Sequence, residues 1–315
     1  MIPLPVVLGP TGSGKSDLAI RIALEVGGEI VNCDSLQLYR GFDVGTAKVR
    51  EAERCGVPHH LIDLIGPDQV FTAGDYSRVA TSALREIATR GRVPIVAGGT
   101  GFYLRALLEG LFSGPTRDSA IRERLQRREA ERPGSMHRIL ARLDPAAAAR
   151  IHPNDKNKTM RALEVRLLAG TPISSLFASG RSALTGFQAI KLGLDPPREL
   201  LYQALDARAV HMFEQGLIDE VRRLLASGVS PQAKPFESLG YKQALQVLQG
   251  RLTPQEALAS TQLETRRYAK RQLTWFRKEP GVNWLHGFGS ESSIQAAALA
   301  IVDREVQTAS NAAQL

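Results

Sequence analysis

The stretch Gly9-Pro10-Thr11-Gly12-Ser13-Gly14-Lys15-Ser16 completes the pattern G-x-x-x-x-G-K-[ST], and its flanks restrict the fold more than the pattern itself. The apolar run before it, residues 2–8, has the character of a buried strand, and residues 17–26 place Leu18, Ile22 and Val26 at helical spacing. A strand, a glycine turn and a helix start therefore coincide, a geometry in which successive backbone N–H groups and the helix N-terminus surround an anion. Lys15 is placed to add a cation and the Ser16 hydroxyl to ligate Mg²⁺. The loop alone leaves open which phosphate it holds.

Further along, residues 29–33 form a β-rich run ending at Asp34-Ser35-Leu36-Gln37-Leu38-Tyr39, which puts a carboxylate at the C-terminal edge of a sheet, where ligands of open α/β folds bind. Asp34 is a site candidate; the alternative is a helix N-cap made by Asp34 or Ser35. A glycine-punctuated loop at 41–48 offers Thr46 and Lys48 to anions. Residues 59–65 are strand-like, and the His59-His60 pair is read as structural because no third ligand is spaced to help it. A helix is expected over 76–90. A strand over 93–97 ends in Gly98-Gly99-Thr100-Gly101, either a close backbone approach to a ligand or a tight turn capped by Thr100, before a helix at 102–109. Alternating strands and helices predict right-handed βαβ units and a parallel sheet of the P-loop NTPase-like α/β class, flanked by helices.

From residue 114 strand signals vanish, and residues 114–182 read as a helical insertion between core segments 1–113 and 183–306, with a tail at 307–315. Six arginines fall within 117–132, on either a solvated helix laced by Glu pairs or an RNA-facing one. His152-Pro153-Asn154-Asp155 reads as a turn capping a helix at 160–168 that carries Arg161, and residues 189–194 return to strand composition. The remainder is helical, with segments at 198–215, 216–226, 239–249 and 254–278. On the last, Arg266, Arg267, Lys270, Arg271, Arg277 and Lys278 occupy an arc of about 140°, while Ala269, Leu273 and Phe276 form a separate apolar stripe. With no acidic residue between Glu264 and Glu279, this face suits phosphate backbone. Trp275 at its margin is either a base-stacking or a core-edge aromatic.

A formal net charge of +8 agrees with a polyanionic partner. Cys33 and Cys55 lack C-x-x-C spacing and the histidines lack ligand spacing, so neither a disulfide framework nor a zinc site is indicated. No run approaches the length of a membrane span, and Met1 leads almost directly into the first strand without room for a signal peptide; a soluble cytoplasmic protein, without membrane attachment and monomeric, is expected.

The runs GPTGSGKS, DSLQLYRGFDVGTAK, PHHLIDL, GRVPIVAGGTGFYLRALLEG, HPND followed by RALEV, LGYKQ and TRRYAKRQLTWFR closely resemble bacterial tRNA dimethylallyltransferases, over nearly the whole chain. The resemblance implies transfer of a dimethylallyl group from dimethylallyl diphosphate to N6 of the adenosine 3′ of a tRNA anticodon, with release of diphosphate. Gly9 to Ser16 would hold the donor diphosphate, with Ser16 on Mg²⁺ as the cofactor. Asp34 would contact the target amine, and Asp34, Thr100 and Lys15 would carry the chemistry. Contacts to the tRNA anticodon stem-loop would come from Asp34, Ser35, Leu36, Gln37, Thr100, Arg122, Asn157, Lys158, Arg161, Lys242, Arg267, Lys270, Arg271 and Arg277.

Three positions depart from the family pattern: Lys158 stands where Arg is common, Glu237 where Gln or a small residue is usual, and Val49 where Pro follows Lys48. Two other readings share the glycine loop. One is a small-molecule or nucleoside kinase, for which Asp63 is the sole weak candidate as a Mg²⁺-holding carboxylate. The other is a noncatalytic RNA-binding protein.

Overall fold

The computed structural model describes residues 1–112, 114–178 and 180–312, the side chains of 178 and 307–312 excepted. Two compact units emerge, Met1–Leu108 with Leu184–Leu315, and Glu109–Ala183. The boundary residue 113 and the tail positions 313–315 lie outside the described residues.

In the first unit, β1 (Ile2–Leu8), β2 (Gly28–Asn32), β3 (His59–His60), β4 (Val93–Ala97), β5 (Phe187–Leu194) and β6 (Val282–Leu285) make one sheet in the order β3-β2-β4-β1-β5-β6. Every neighbouring pair is parallel. Helices α1 (Lys15–Val26), α2 (Ala73–Thr89) and α3 (Gly101–Leu108) supply the early crossovers. The prolines of β1 decide its pairing. Ile2 N–H donates to Gly186 O, so even-numbered donors face β5, whereas Pro3 and Pro5 remove the donors that would face β4. Accordingly β1 pairs with β5 along its whole length and with β4 only at Val6 and Val7.

The second unit is helical, with α4 (Ser119–Glu131), α5 (Ser135–Leu143), α6 (Pro145–Arg150), α7 (Lys156–Ala169) and α8 (Ile173–Ala178) around Leu125, Met136, Leu140, Met160 and Leu163. Asp155 caps α7 by accepting from Lys158 N–H, as the HPND turn implies, but the helix starts at Lys156, ahead of the expected 160. Buried Glu164 accepts from Arg122 Nε at 2.8 Å, Arg161 Nη1 at 2.6 Å and Asp118 N–H at 2.9 Å. Burial alone would raise the Glu164 pKa; the hydrogen bonds from Arg122, Arg161 and Asp118 outweigh it and hold the carboxyl at about 2. A depressed carboxyl stabilises the fold above its ordinary pKa of 4.5, and that contribution is lost as the pH falls through about 2. Glu164→Gln should therefore flatten the dependence of the urea midpoint on pH across this window. An equal dependence in both proteins would contradict it.

The first unit is completed by α9 (Arg198–Glu214), α10 (Leu217–Ala226), α11 (Tyr241–Leu248), α12 (Pro254–Phe276) and α13 (Ser292–Ala312). α12 opens with a Thr253/Glu256 capping box and Pro254 in its first turn. Further elements differ from expectation. β3 spans only His59–His60 of the strand-like run 59–65. β6 is a four-residue edge strand with too little pattern to read, formed because Val282–Leu285 completes the β5 ladder. α13 continues past Val306 to Ala312, where a tail is expected; its buried Ile294, Ala298 and Val302 pack on the α1 side of the core.

Candidate active site

The glycine loop leaves β1 at Gly9 and enters α1 at Lys15. Gly14 has φ +81, and a Cβ there would stand 2.8 Å from Gly289 N, so backbone conformation and packing both require glycine. The loop amides divide into two groups. Pro10 O accepts from Ser13 N–H, the Ser13 hydroxyl and Lys15 Nζ, the last at 2.7 Å, and Thr11 N–H donates to Gln272 Oε1 at 2.8 Å. Thr11 and Ser13 amides are thus engaged within the protein. Those of Gly12, Gly14, Lys15 and Ser16 have no partner among the described residues. They are the donors the loop can offer to an anion, a narrower set than the eight-residue motif suggests.

Asp34 follows β2 as expected. Its Oδ1 accepts Leu36 N–H at 2.9 Å, and the Asn32 side chain fixes it from behind by accepting Asp34 N–H and donating to Asp34 O and Leu61 O. The capping alternative is thus half realised: one oxygen closes a turn, no helix follows, and Oδ2 has no partner among the described residues. Beside it, Gly98 abuts β2 so closely that a Cβ would lie 2.2 Å from the Cys33 carbonyl.

Two cavities meet at this point. One, about 320 Å³, is lined by Gly12, Gly14, Lys15, Ser16, Asp34 and Arg208. The other, about 380 Å³, is lined by Asp34, Ser35, Arg208, Tyr268, Arg271 and Gln272. Lys15, Asp34 and Arg208 belong to both walls. Burial lowers the Lys15 ammonium pKa to about 8; Asp34 opposes the shift and Arg208 adds to it. Burial likewise lowers the Arg208 guanidinium, against the pull of Asp34. At neutral pH the site therefore holds two under-neutralised cations beside one carboxylate, which favours an anionic ligand.

Arg208 and Gln272 escape sequence reasoning. Arg208 sits on α9 without any motif, and only the fold brings it to Asp34. Gln272 does leave a signal, being a polar residue close to the apolar stripe of α12. It is buried, and its amide joins the glycine loop at Thr11 to Gly99 O, the latter at 2.8 Å.

Several expected contacts are committed elsewhere. The Thr100 hydroxyl accepts Ser35 N–H at 3.0 Å and donates to Ser35 Oγ, so it positions Ser35 and lines neither cavity. Gln37 donates to Thr46 O and so braces the 41–48 loop. Lys48 is not available to anions: its Nζ contacts Tyr39 O, Asp43 and Asp63. Thr46 donates to Phe42 O. Asp63, the kinase candidate, is occupied by Lys48. Glu220 anchors the same loop by accepting Val44 N–H at 2.9 Å. Arg122 and Arg161, candidates for RNA contact, both grip Glu164, since an uncompensated buried carboxylate would be costly. Asn157, Lys158 and Lys242 are exposed, Lys158 beside Asp155. The departure Glu237 pairs with Lys234. His60 binds Glu29 and His59 approaches Val57 O, the structural reading.

The cationic face of α12 is thinner than its sequence. Arg266 pairs with Asp206, Arg267 with Glu264 and Arg277 with Asp195, while Lys270, Arg271 and Lys278 are exposed and carry no ion pair among the described residues. Trp275 is a core-edge aromatic, packed against Gly101 with the Arg105 guanidinium 4.5 Å from its ring centroid.

A parallel sheet with a phosphate-type glycine loop and a carboxylate at the adjoining strand end defines a P-loop-like α/β protein with two joined cavities. The family model described as IPP transferase matches residues 37–279. The chain belongs to this IPP transferase family. It is 59% identical to a tRNA dimethylallyltransferase of Solibacter usitatus, over 95% of this chain and 97% of that protein, and 53% identical to one of Koribacter versatilis, over 94% and 97%. Among solved structures, a tRNA isopentenylpyrophosphate transferase from Bacillus halodurans aligns with TM-score 0.71 at 34% identity, covering 98% of this chain and 99% of that one. A eukaryotic dimethylallyltransferase acting on tRNA aligns with TM-score 0.82 at 28% identity, covering 96% and 78%.

Proposed function

We propose that this chain transfers a dimethylallyl group from dimethylallyl diphosphate to N6 of the adenosine 3′ of a tRNA anticodon. The observation that carries this reading is the wall shared by the two cavities, where Asp34, Lys15 and Arg208 stand between the unengaged loop amides and the α12 side chains. The donor's diphosphate occupies the first cavity and the target adenine enters the second. An exocyclic amine is a weak nucleophile, so Asp34 accepts its proton as N6 bonds to the allylic carbon. The bond from that carbon to diphosphate oxygen breaks, and the loop amides, Lys15 and Arg208 stabilise the departing charge.

The Ser16 hydroxyl has no hydrogen-bond partner among the described residues and lines the first cavity, and no group of three His, Cys, Asp or Glu there is poised to hold a metal alone. This donor set fits a Mg²⁺ that arrives with diphosphate and is completed by its oxygens and water. When bound, the ion neutralises leaving-group charge. We take the protein to be a cytoplasmic monomer; among the described residues no helix is long and apolar enough to cross a membrane.

Incubating the protein with Mg²⁺, unmodified tRNA and either labelled dimethylallyl diphosphate or labelled ATP decides the reading. Label passing from the prenyl donor to RNA supports it, and phosphate transfer from ATP without prenylation overturns it in favour of the kinase. Within the same reading, Lys270→Ala and Arg271→Ala should each flatten the slope of log K against log salt for tRNA by about 0.7 to 0.9. Arg266→Ala should change it far less, because Asp206 already neutralises that charge. Equal slopes for all three variants would show that exposure and pairing do not govern the contact.

A further inference from the structure

A third cavity of about 360 Å³ lies on another flank of α12, away from Asp34, between that helix and the start of α9. Its volume is within the range of about 300 to 1,000 Å³ typical of small-ligand sites. Leu273 contributes apolar wall, and Lys270, Arg277 and Arg198 bring positive charge. Asp195 neutralises Arg277, but Lys270 and Arg198 have no carboxylate partner among the described residues, so the cavity keeps a positive excess. The Arg198 guanidinium lies 5.1 Å from the centroid of the Tyr202 ring. Together they form a stacking platform of the kind on which RNA bases settle, since both aromatic faces and guanidinium planes serve that purpose.

The cavity is also continuous with the cationic arc. Arg271 lines the cavity above Asp34 and Arg277 the third one, six residues later. That separation is about 9 Å along the helix and about 120° around it. A strand that sends one base towards Asp34 therefore passes the α12 cations on its way to the third cavity. We propose that this cavity binds one further nucleotide of the RNA substrate, its phosphate against Lys270 and its base on the Arg198–Tyr202 platform. The proposal rests on the tRNA reading above and adds a subsite outside the reaction centre.

The test uses the full chain and an anticodon stem-loop transcript, with Arg198→Glu, Tyr202→Ala and Tyr202→Phe compared for RNA binding and for prenyl transfer. Arg198 is exposed, so its substitution leaves the fold intact. Arg198→Glu should raise the RNA Kd and flatten the salt slope by about one or more. Tyr202→Ala should raise the RNA KM about fivefold or more, whereas Tyr202→Phe, which keeps the ring, should stay within twofold. In all three, kcat at saturating RNA and the donor KM should hold. An RNA Kd and salt slope unchanged in Arg198→Glu, with Tyr202→Ala binding RNA normally, overturns the proposal. Adenosine monophosphate separates RNA from free nucleotide: uptake that Arg198→Glu abolishes while RNA affinity is unchanged also overturns it. If the wild-type chain binds RNA through Tyr202 yet transfers no prenyl group, the subsite stands and the proposed reaction falls.

Discussion

Asp34→Asn lowers the single-turnover rate of prenyl transfer by about 10² or more, while tRNA and donor affinities stay within a few-fold. The separation follows from the two roles of the carboxylate. Its Oδ1 accepts Leu36 N–H and shapes the turn that carries Ser35 and Leu36, and an amide oxygen can take over that bond. Its Oδ2 has no partner among the described residues and in the proposed reaction takes the amine proton, for which an amide has no basicity to offer. Removing the negative charge also leaves Lys15 and Arg208 less compensated, which does not weaken a dianionic donor. A single-turnover rate near wild type would remove Asp34 from the base role.

Lys15→Met should lower kcat/KM for the prenyl donor by about 10² to 10³, the range seen when one preorganised donor to developing negative charge is lost. Stability should move the other way. Burial is the main reason the Lys15 ammonium is depressed to about 8, so at neutral pH the folded protein carries a charged group it disfavours. A methionine fills similar volume without that charge, and the variant should melt no lower than the native protein. A large fall in melting temperature with donor kinetics unchanged would make Lys15 a structural residue, anchored on Pro10 O, instead of a ligand for diphosphate.

What is legible in the chain is local. The strand, glycine loop and helix of residues 2–26, the carboxylate closing β2, the glycines after β4 and the Asp155 cap of α7 each follow from short-range chemistry: allowed backbone angles, capping and the periods of strand and helix. The family resemblance likewise rests on contiguous runs. Which charges are left available depends on partners brought together by the fold. Glu164 claims Arg122 and Arg161, Asp206 claims Arg266, and Lys48 is held by Asp43 and Asp63, because a buried or half-buried charge is stable only with a partner and the partner is frequently distant in sequence. The same holds for Arg208, carried to Asp34 by α9, and for Gln272, whose amide spans 261 residues to reach Thr11. Local pattern records the residues that could bind an anion; the packing of α9 and α12 decides which of them are left without a partner of their own.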